Sequence, residues 1–400
     1  MISGWIIDKL LRDNMKYILI LIATLVTIII NITLSLILNS YHGVIVKKEN
    51  IHSAEIAKAK EANKKAILDQ MPVIKIPDTG HMVIISNKSL RESRNSYSTK
   101  IIAESFTDSG RILTPPRDTY ILTKYPTQLG YMTTYVTPDP KDGKRHPAVI
   151  WISGGYGGLS DSEDFFWREH DRDNDQSASA FRKAGLVVML PSFRGEDKNP
   201  GRYEMFYGEL DDIEAAYDWL SKQSYVDPER IYLAGHSTGG TRVLLASEYS
   251  TKFRGYFSLG GIPDLKARVE GGEMLVQIPF KQTKKEFKLR SPARYIKSIK
   301  KPTWYFEGEE DYWQAFDNIK KVANKEKIPL FIYKIPNGDH FNIIAPVTEM
   351  IAQKILADTG NKSNITFSDK DLAKIPYELT KIYFFDNCHC NVERMPHISI

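Results

Sequence analysis

Residues 231–239 read Ile-Tyr-Leu-Ala-Gly-His-Ser-Thr-Gly, and this stretch decides the fold. Its first four residues form an apolar run that is typical of a buried strand. Gly235 and Gly239 lie two positions on either side of Ser237, where small residues let a strand and the following helix approach closely. The stretch therefore predicts a sharp turn from a strand into a helix, with the serine held in strained backbone geometry at the turn.

The flanking residues support this interpretation, which the pentapeptide alone would not carry because glycine and serine are common. Upstream, Asp227-Pro228-Glu229-Arg230 predicts a turn ahead of the strand. Downstream, residues 240–249 predict a helix with Val243, Leu244 and Ala246 on its buried side. Strand, turn and helix in this order predict the nucleophile elbow of an α/β-hydrolase fold, in which the serine is the attacking group.

A serine hydroxyl is a weak nucleophile at neutral pH, so Ser237 needs a base within hydrogen-bond reach and a third group to orient that base. In this fold the acid and the histidine follow the serine in that order. His340 lies in a loop directly after the strand-like residues 330–334, and such loops are enriched in functional groups. His389 and His397 lie near the carboxyl end. His340 is therefore the candidate base, and a turn histidine without a catalytic role is the alternative.

The acid is expected in Glu307-Gly308-Glu309-Glu310-Asp311, which follows the strand-like residues 302–306. Asp311 is the preferred candidate because the glycine allows a turn and a carboxylate three residues beyond it can swing back towards the histidine loop. Glu310 is the reserve candidate. For every carboxylate other than Asp311, a solvated position in an acidic loop is the favoured interpretation.

An acyl-transfer enzyme also needs backbone amides aimed at the oxyanion. One donor is expected to be the amide of Thr238, directly after the serine. The second is expected from the loop that follows the strand-like residues 147–152, where glycines let the main chain approach a substrate. Gly155 and Tyr156 are the candidates, and a purely structural glycine-rich turn is the alternative.

These ordered pieces resemble the catalytic domain of the prolyl oligopeptidase family, within the α/β-hydrolase superfamily. The resemblance covers about residues 124–358 and implies a nucleophile at Ser237, an acid at Asp311 and a base at His340. It rests on residues 191–195, 207–212, 227–240, 290–292, 307–311 and 338–340.

Two departures from the family pattern bear on the substrate. Full-length peptidases of the family place a propeller or a comparably large domain ahead of the catalytic one, and residues 39–123 are too few for it. Ser153 stands where some members have a tyrosine that serves as an oxyanion donor. The chain thus looks more like the shorter, esterase-type relatives.

Residues 17–38 carry no charge and are dominated by Ile, Leu and Val. This length can cross the hydrocarbon core of a bilayer as one helix, and no clear cleavage site follows it. Lys16 abuts the segment, whereas the lysines on the far side begin at Lys47. The positive-inside rule therefore favours a cytoplasmic amino terminus and a catalytic domain on the non-cytoplasmic side. Alternatively, residues 1–16 form an interfacial amphipathic helix.

The predicted catalytic domain is an α/β-hydrolase fold: a mostly parallel, doubly wound sheet flanked by helices. Residues 263–289 form a possible cap over the active site, or alternatively a surface helix pair. The predicted divisions are an amino-terminal flank (1–16), a single-pass anchor (17–38), a polar stalk (39–71), the catalytic domain (72–359) and a carboxyl-terminal extension (360–400).

The composition excludes several other classes. A net charge of +5 over 400 residues is mild, and neither a nucleic-acid motif nor a phosphate-binding glycine loop is present, so no nucleic-acid partner is expected. Cys388 and Cys390 flank a single histidine, which supplies too few ligands for a metal, and a disulfide across one residue would be strained. Two free thiols are expected, with no metal and no organic cofactor.

Together these features predict a membrane-anchored serine hydrolase that cleaves ester or amide bonds through an acyl-enzyme. Small acyl esters are the preferred substrates. A serine peptidase acting on short peptides is the first alternative, and an α/β-hydrolase fold used only as a binding module is the second. The presence of a serine, an acid and a histidine argues against the binding module, since binding alone does not need all three.

Overall fold

The computed structural model describes residues 85–86, 88–104, 111–160, 166–168, 171–270 and 276–375. Both cysteines, the predicted anchor (17–38) and the predicted stalk (39–71) lie outside these ranges. Within them, no helix combines the length and the apolar character that crossing a membrane would require.

One sheet of eight strands forms the centre of the fold: β1 (Ile121–Thr127), β2 (Gly130–Val136), β3 (His146–Ile152), β4 (Val187–Pro191), β5 (Val226–His236), β6 (Tyr256–Leu259), β7 (Thr303–Gly308) and β8 (Leu330–Ile335). Their order across the sheet is β1-β2-β4-β3-β5-β6-β7-β8. The β1–β2 and β2–β4 pairings are antiparallel, and all the others are parallel. This topology confirms the predicted mostly parallel α/β fold.

Nine α-helices and two short 3-10 turns occur in the described part of the chain. They are α1 (Leu90–Asn95), α2 (Ser179–Lys183), α3 (Glu209–Leu220), α4 (Thr238–Tyr249), α5 (Leu265–Glu270), α6 (Lys284–Lys288), α7 (Ala315–Lys325), α8 (Ile344–Ala357) and α9 (Asp369–Leu372), with the 3-10 turns at Pro292–Arg294 and Ile296–Ser298.

The two faces of the sheet are both buried, as the near-continuous apolar strands require. Along β3, Ile150 packs in the same core as α3 and α4 residues, such as Ile213 and Val243. Its neighbour Trp151 points to the opposite face and packs in the core that contains Ile351 of α8. Because side chains alternate along a strand, β3 separates two hydrophobic layers and the helices cover both of them.

The prediction of a turn at residues 227–230 is wrong, because these residues lie inside β5. The pairing of β5 with β3 is irregular there: His146 is opposite Val226, whereas Ala148 is opposite Ile231. The proline in this stretch has no amide hydrogen for a ladder bond, so the extra residues bulge out without ending the strand.

The helix after Ser237 begins at Thr238, two residues earlier than predicted. Its first hydrogen bond runs from the amide of Thr241 to the carbonyl of Ser237, at 2.9 Å. The serine is thus the N-cap residue of α4, and its backbone lies at the strand–helix junction.

The sequence assigns no definite role to residues 263–289 or to the residues beyond 360. Described parts of both segments pack on the body of the domain. In the stretch 263–289, Phe280 and Phe287 are buried and meet edge to face with ring centres 5.3 Å apart. Beyond residue 360, Phe367 is buried and packs edge-on against Trp304 and Phe306 of β7. Each segment therefore contributes apolar surface to the folded domain.

Candidate active site

Ser237 stands at the elbow between β5 and α4 with a φ of 55° and a ψ of −114°. This is a conformation that residues with a Cβ rarely adopt. The approach of strand and helix leaves no room beside it: a Cβ on Gly239 would lie 2.0 Å from the carbonyl oxygen of Ile152 on β3. The glycine is therefore required by contact, and the tight strand–turn–helix geometry predicted from the sequence is confirmed.

His340 lies in the loop between β8 and α8, and its ring faces a carboxylate at the end of β7. Its Nδ1 atom is 3.3 Å from Oε2 of Glu307. The Glu307 side chain is fully buried, and its other oxygen, Oε1, accepts a hydrogen bond from the amide of Gly308 at 2.9 Å. Burial raises the pKa of Glu307, and the adjacent His340 offsets part of that rise.

Asp311 meets the same histidine at a different atom. Its Oδ2 accepts a hydrogen bond from the backbone amide of His340, at 3.0 Å, and its side chain is exposed. Glu310 is also exposed, and its own amide donates to the carbonyl of Gly338 at 3.2 Å. Two carboxylates therefore act on His340, Glu307 at the imidazole and Asp311 at the main chain.

A second histidine, His236, lies directly before Ser237 and is fully buried. Its Nε2 is 2.7 Å from the carbonyl oxygen of His340, and its Nδ1 is 2.8 Å from Nε2 of Gln176. Burial, reinforced by His340, lowers the pKa of His236 to about 3, so this ring is neutral at physiological pH.

Gln176 joins this histidine to the glycine loop that follows β3. Its Oε1 accepts a hydrogen bond from the amide of Gly154 at 3.0 Å, and its carbonyl accepts one from Nε1 of Trp151 at 2.7 Å. The site residues predicted from the sequence include neither His236 nor Gln176. The position of His236 beside the serine was the one available signal, and nothing in the sequence marks Gln176.

The three predicted oxyanion residues lie around the elbow. The hydroxyl of Thr238 donates to the carbonyl of Gly155 at 2.5 Å, which ties the glycine loop to the start of α4. No peptide bond in the described residues is cis, so the amide of Tyr156 points away from that hydroxyl. Gly155, Tyr156 and Thr238 all line the cavity next to Ser237, so all three amides stay candidate donors.

Ser237 opens on a cavity of about 340 Å³. Apolar and aromatic side chains cover part of its wall, and Arg268 of α5 is its charged lining residue in the described part of the chain. The lining residues are Gly154, Gly155, Tyr156, Gln176, Phe206, His236, Ser237, Thr238, Thr241, Ile262, Arg268 and Phe341.

Within the described residues, no group of three or more His, Cys, Asp or Glu side chains is arranged to hold a metal ion. The chemistry that this arrangement can perform is the attack of a serine hydroxyl on a carbonyl carbon. A neighbouring imidazole would transfer the proton, and backbone amides would stabilise the oxyanion.

Comparison with known sequences finds a family profile and several relatives that match part of the chain. The profile of the Prolyl oligopeptidase family matches residues 173–354. An uncharacterized peptidase of Bacillus subtilis, YtmA, is 26% identical over 139 residues, which are 33% of this chain and 54% of that protein. Dipeptidyl-peptidase 5 of Porphyromonas gingivalis is 25% identical over 239 residues, 53% of this chain and 33% of that protein. The chain thus spans about half or less of the length of these relatives.

The solved structures to which the chain is similar are more distant in sequence. A puromycin-hydrolyzing peptidase of Mycobacterium tuberculosis superposes with a TM-score of 0.49 and 19% identity, over 60% of this chain and 39% of that one. An esterase of Pyrobaculum calidifontis superposes with a TM-score of 0.42 and 18% identity, over 61% of this chain and 87% of that one.

Proposed function

We propose that this α/β-hydrolase, which resembles the catalytic domain of the prolyl oligopeptidase family, is a serine hydrolase that cleaves ester or amide bonds through an acyl-enzyme. The observation that carries the proposal is the strained backbone of Ser237 at the opening of a cavity, with His340 on a neighbouring loop held by two carboxylates. Strained residues of this kind cluster at active sites.

In the proposed reaction, Oγ of Ser237 attacks the substrate carbonyl and its proton passes to Nε2 of His340. His340 then gives this proton to the leaving alcohol or amine, which departs and leaves the acyl group on the serine. A water molecule, deprotonated by the same imidazole, releases the acid and restores the serine. The amide of Thr238 and that of Gly155 or Tyr156 stabilise the charge that develops on the carbonyl oxygen.

The two carboxylates take different parts in this proposal. Glu307, at Nδ1, orients the imidazole and stabilises the imidazolium that forms during the reaction. Asp311, at the backbone amide, holds the histidine loop in place. The sequence favours Asp311 as the acid of the triad, and that assignment stays a prediction that the variants Glu307→Gln and Asp311→Asn test.

Small acyl esters are the proposed substrates. The cavity is at the lower end of the size range of small-molecule sites, and Phe206, Ile262 and Phe341 give it an apolar wall suited to an acyl chain. Cleavage of short peptides is the second candidate function, because the family profile that matches the chain is that of a peptidase family.

The function is tested by labelling the full-length chain with a fluorophosphonate probe, which reacts covalently with activated serines. We expect the wild type to be labelled and Ser237→Ala to remain unlabelled while unfolding at the same temperature. Ser221→Ala, which removes a hydroxyl at the carboxyl end of α3, away from the cavity, is the matched control and should retain labelling. A folded wild type that does not react, or a Ser237→Ala variant that still reacts, would contradict the proposal.

We also propose that residues 17–38 anchor the protein in a membrane, with the catalytic domain on the non-cytoplasmic side. The uncharged aliphatic composition of the segment and the lysine next to its amino-terminal end support this arrangement. The chain should stay in the membrane pellet after alkaline carbonate extraction, and protease added to intact cells should digest the catalytic domain. Release into the supernatant would contradict the proposed anchor. Protection of the catalytic domain from the protease would contradict its proposed non-cytoplasmic orientation.

A further inference from the structure

Three hydrogen bonds in series run along the wall of the cavity, from the glycine loop to the histidine loop. The amide of Gly154 donates to Oε1 of Gln176 at 3.0 Å. Nε2 of Gln176 donates to Nδ1 of His236 at 2.8 Å, and Nε2 of His236 donates to the carbonyl oxygen of His340 at 2.7 Å. Gln176 and His236 together form a bridge between the two loops.

The chemistry of its ends fixes the direction of every bond in the bridge. A backbone carbonyl only accepts, so Nε2 of His236 carries the hydrogen and the neutral ring has a bare Nδ1. A backbone amide only donates, so the oxygen of Gln176 faces Gly154 and its NH₂ group faces His236. Each donor and acceptor of the series is then satisfied without a charge, although the imidazole is completely buried.

Each contact of the bridge lies at or beside a group of the proposed reaction. Gly154 precedes the candidate oxyanion donor Gly155, and His236 precedes Ser237. The far end is the main chain of His340 itself, whose ring centre lies 4.5 Å from that of His236. The glutamine is in turn held to the end of β3 by the indole of Trp151.

We propose that Gln176 and His236 are positioning residues that hold the oxyanion loop, the nucleophile and the base in register. This inference rests on the proposed hydrolase function. The glycine loop follows β3, the elbow follows β5 and the histidine loop follows β8, so the three groups come from distant parts of the chain. A displacement of about 1 Å between reacting groups can lower a rate by about 100-fold, so a rigid link between the loops has a direct kinetic effect.

The bridge also requires that the His236 ring is neutral. A proton on Nδ1 would break the 2.8 Å bond from Nε2 of Gln176 and would turn instead to Oε1 of the same residue, which is 3.2 Å away and already accepts from Gly154. It would also place a positive charge beside His340 while that ring takes up a proton from Ser237, which opposes the reaction. Burial of the imidazole prevents both effects.

The bridge is tested by comparing His236→Gln with His236→Leu in the full-length chain. Gln keeps an N–H donor near the place of Nε2, whereas Leu keeps only the bulk. We expect His236→Leu to lower kcat for a p-nitrophenyl ester by about 10- to 100-fold with KM within about threefold of the wild type. His236→Gln should recover most of that loss. Equal losses in the two variants would overturn the inference.

Gln176→Leu and the double variant Gln176→Leu/His236→Leu complete a cycle. Because the two residues act as one series, the double variant should be no slower than His236→Leu alone. Losses that multiply would overturn the inference. His146→Leu is the matched control: this histidine lies at the start of β3, contacts Asp142 and is remote from the cavity, so kcat should not change.

A measurement that needs no activity separates the two proposals. In the full-length chain labelled with ¹⁵N-histidine, the resonance lost in His236→Gln should report a neutral ring protonated at Nε2 from pH 8 down to about pH 5. A ring protonated at Nδ1, or charged in this range, would overturn the bridge. A wild type with the expected ring state but without fluorophosphonate labelling would instead overturn the proposed hydrolase function.

Discussion

Ser237 combines a hydroxyl group with a positive φ, and the two properties are expected to affect stability separately. Strain at a backbone position of this kind costs on the order of 1–3 kcal/mol, and only glycine adopts it freely. We therefore expect Ser237→Gly to unfold with a free energy about 1 kcal/mol higher than Ser237→Ala, although neither variant reacts with the probe. Denaturant titration of the pair measures this difference. Equal stabilities would show that the elbow is not strained.

Three variants distinguish the roles of the two carboxylates that contact His340. Glu307→Gln turns an acceptor at Nδ1 into a possible donor, which favours the wrong tautomer of the base, so we expect kcat to fall by about 10³–10⁴. Asp311→Asn can still accept from the backbone amide of His340 and should lose about 10-fold. Glu310→Gln is the control and should stay close to the wild type. If Asp311→Asn is the more damaging change, Asp311 is the acid that the sequence favours.

The sequence predicts single residues well where a local rule determines them. Ser237 and the glycines around it are recognisable because the elbow needs them at fixed spacing. Glu307 is ambiguous because an acidic run after a strand is typical of a solvated loop, yet this glutamate continues the buried run of β7. His236 and Gln176 are 60 positions apart, so their contact depends on the folded sheet and no local pattern encodes it.

At the scale of elements, the apolar runs predict the sheet closely and the polar runs do not. The strand-like residues 147–152, for example, agree with β3 to within one residue. In contrast, the residues at 227–230 have the composition of a turn, and pairing with β3 keeps them in β5 as a bulge. Tertiary pairing overrides local turn preference there, and the sequence alone does not contain that information.

The crossing of β3 and α4 is the closest approach between elements at the site. Adding a methyl group at Gly239 would force the helix away from Ile152, so we expect Gly239→Ala to lower the free energy of unfolding by about 2–3 kcal/mol. It should also lower the labelling rate of Ser237, which moves with the helix. Gly360→Ala is the control, because a Cβ at Gly360 would lie 3.4 Å from its nearest neighbour, the carbonyl oxygen of Lys362. This change should alter the free energy of unfolding by less than about 0.5 kcal/mol. Similar effects of both changes would contradict this packing.

At the scale of the whole molecule, Asp358 joins the end of α8 to the sheet and to the segment beyond. Tyr232 of β5 donates to its Oδ2 at 2.6 Å, and Arg254 donates to both oxygens at 2.8 and 2.7 Å. The amide of Asn364 donates to Oδ1 at 3.1 Å. Burial alone would raise the pKa of Asp358, but these hydrogen bonds outweigh it and lower the pKa to about 2.

This lowered pKa makes part of the stability dependent on pH. The carboxylate stabilises the fold above the pKa of an unfolded aspartate, about 4, and that stabilisation is lost as the pH falls towards about 2. Asp358→Asn should therefore lower the free energy of unfolding by about 2 kcal/mol or more at pH 7. The difference from the wild type should shrink below pH 4.

Denaturant titrations of both chains between pH 7 and pH 3 measure the effect. Asp218→Asn is the control, since this half-exposed carboxylate pairs with Lys252 at the surface and such pairs contribute little. A constant difference between Asp358→Asn and the wild type across the whole pH range would contradict the role given to the charge.

The strand order of the sheet has a consequence for protein synthesis. Ser237 follows β5 in the middle of the sheet, whereas His340 follows β8, which is the last strand in the described part of the chain and lies at the edge of the sheet. A nascent chain therefore exposes its serine long before the histidine has left the ribosome. Until that strand pairs with β7, the serine lacks the base proposed for it, so an unfinished chain should not react with substrate.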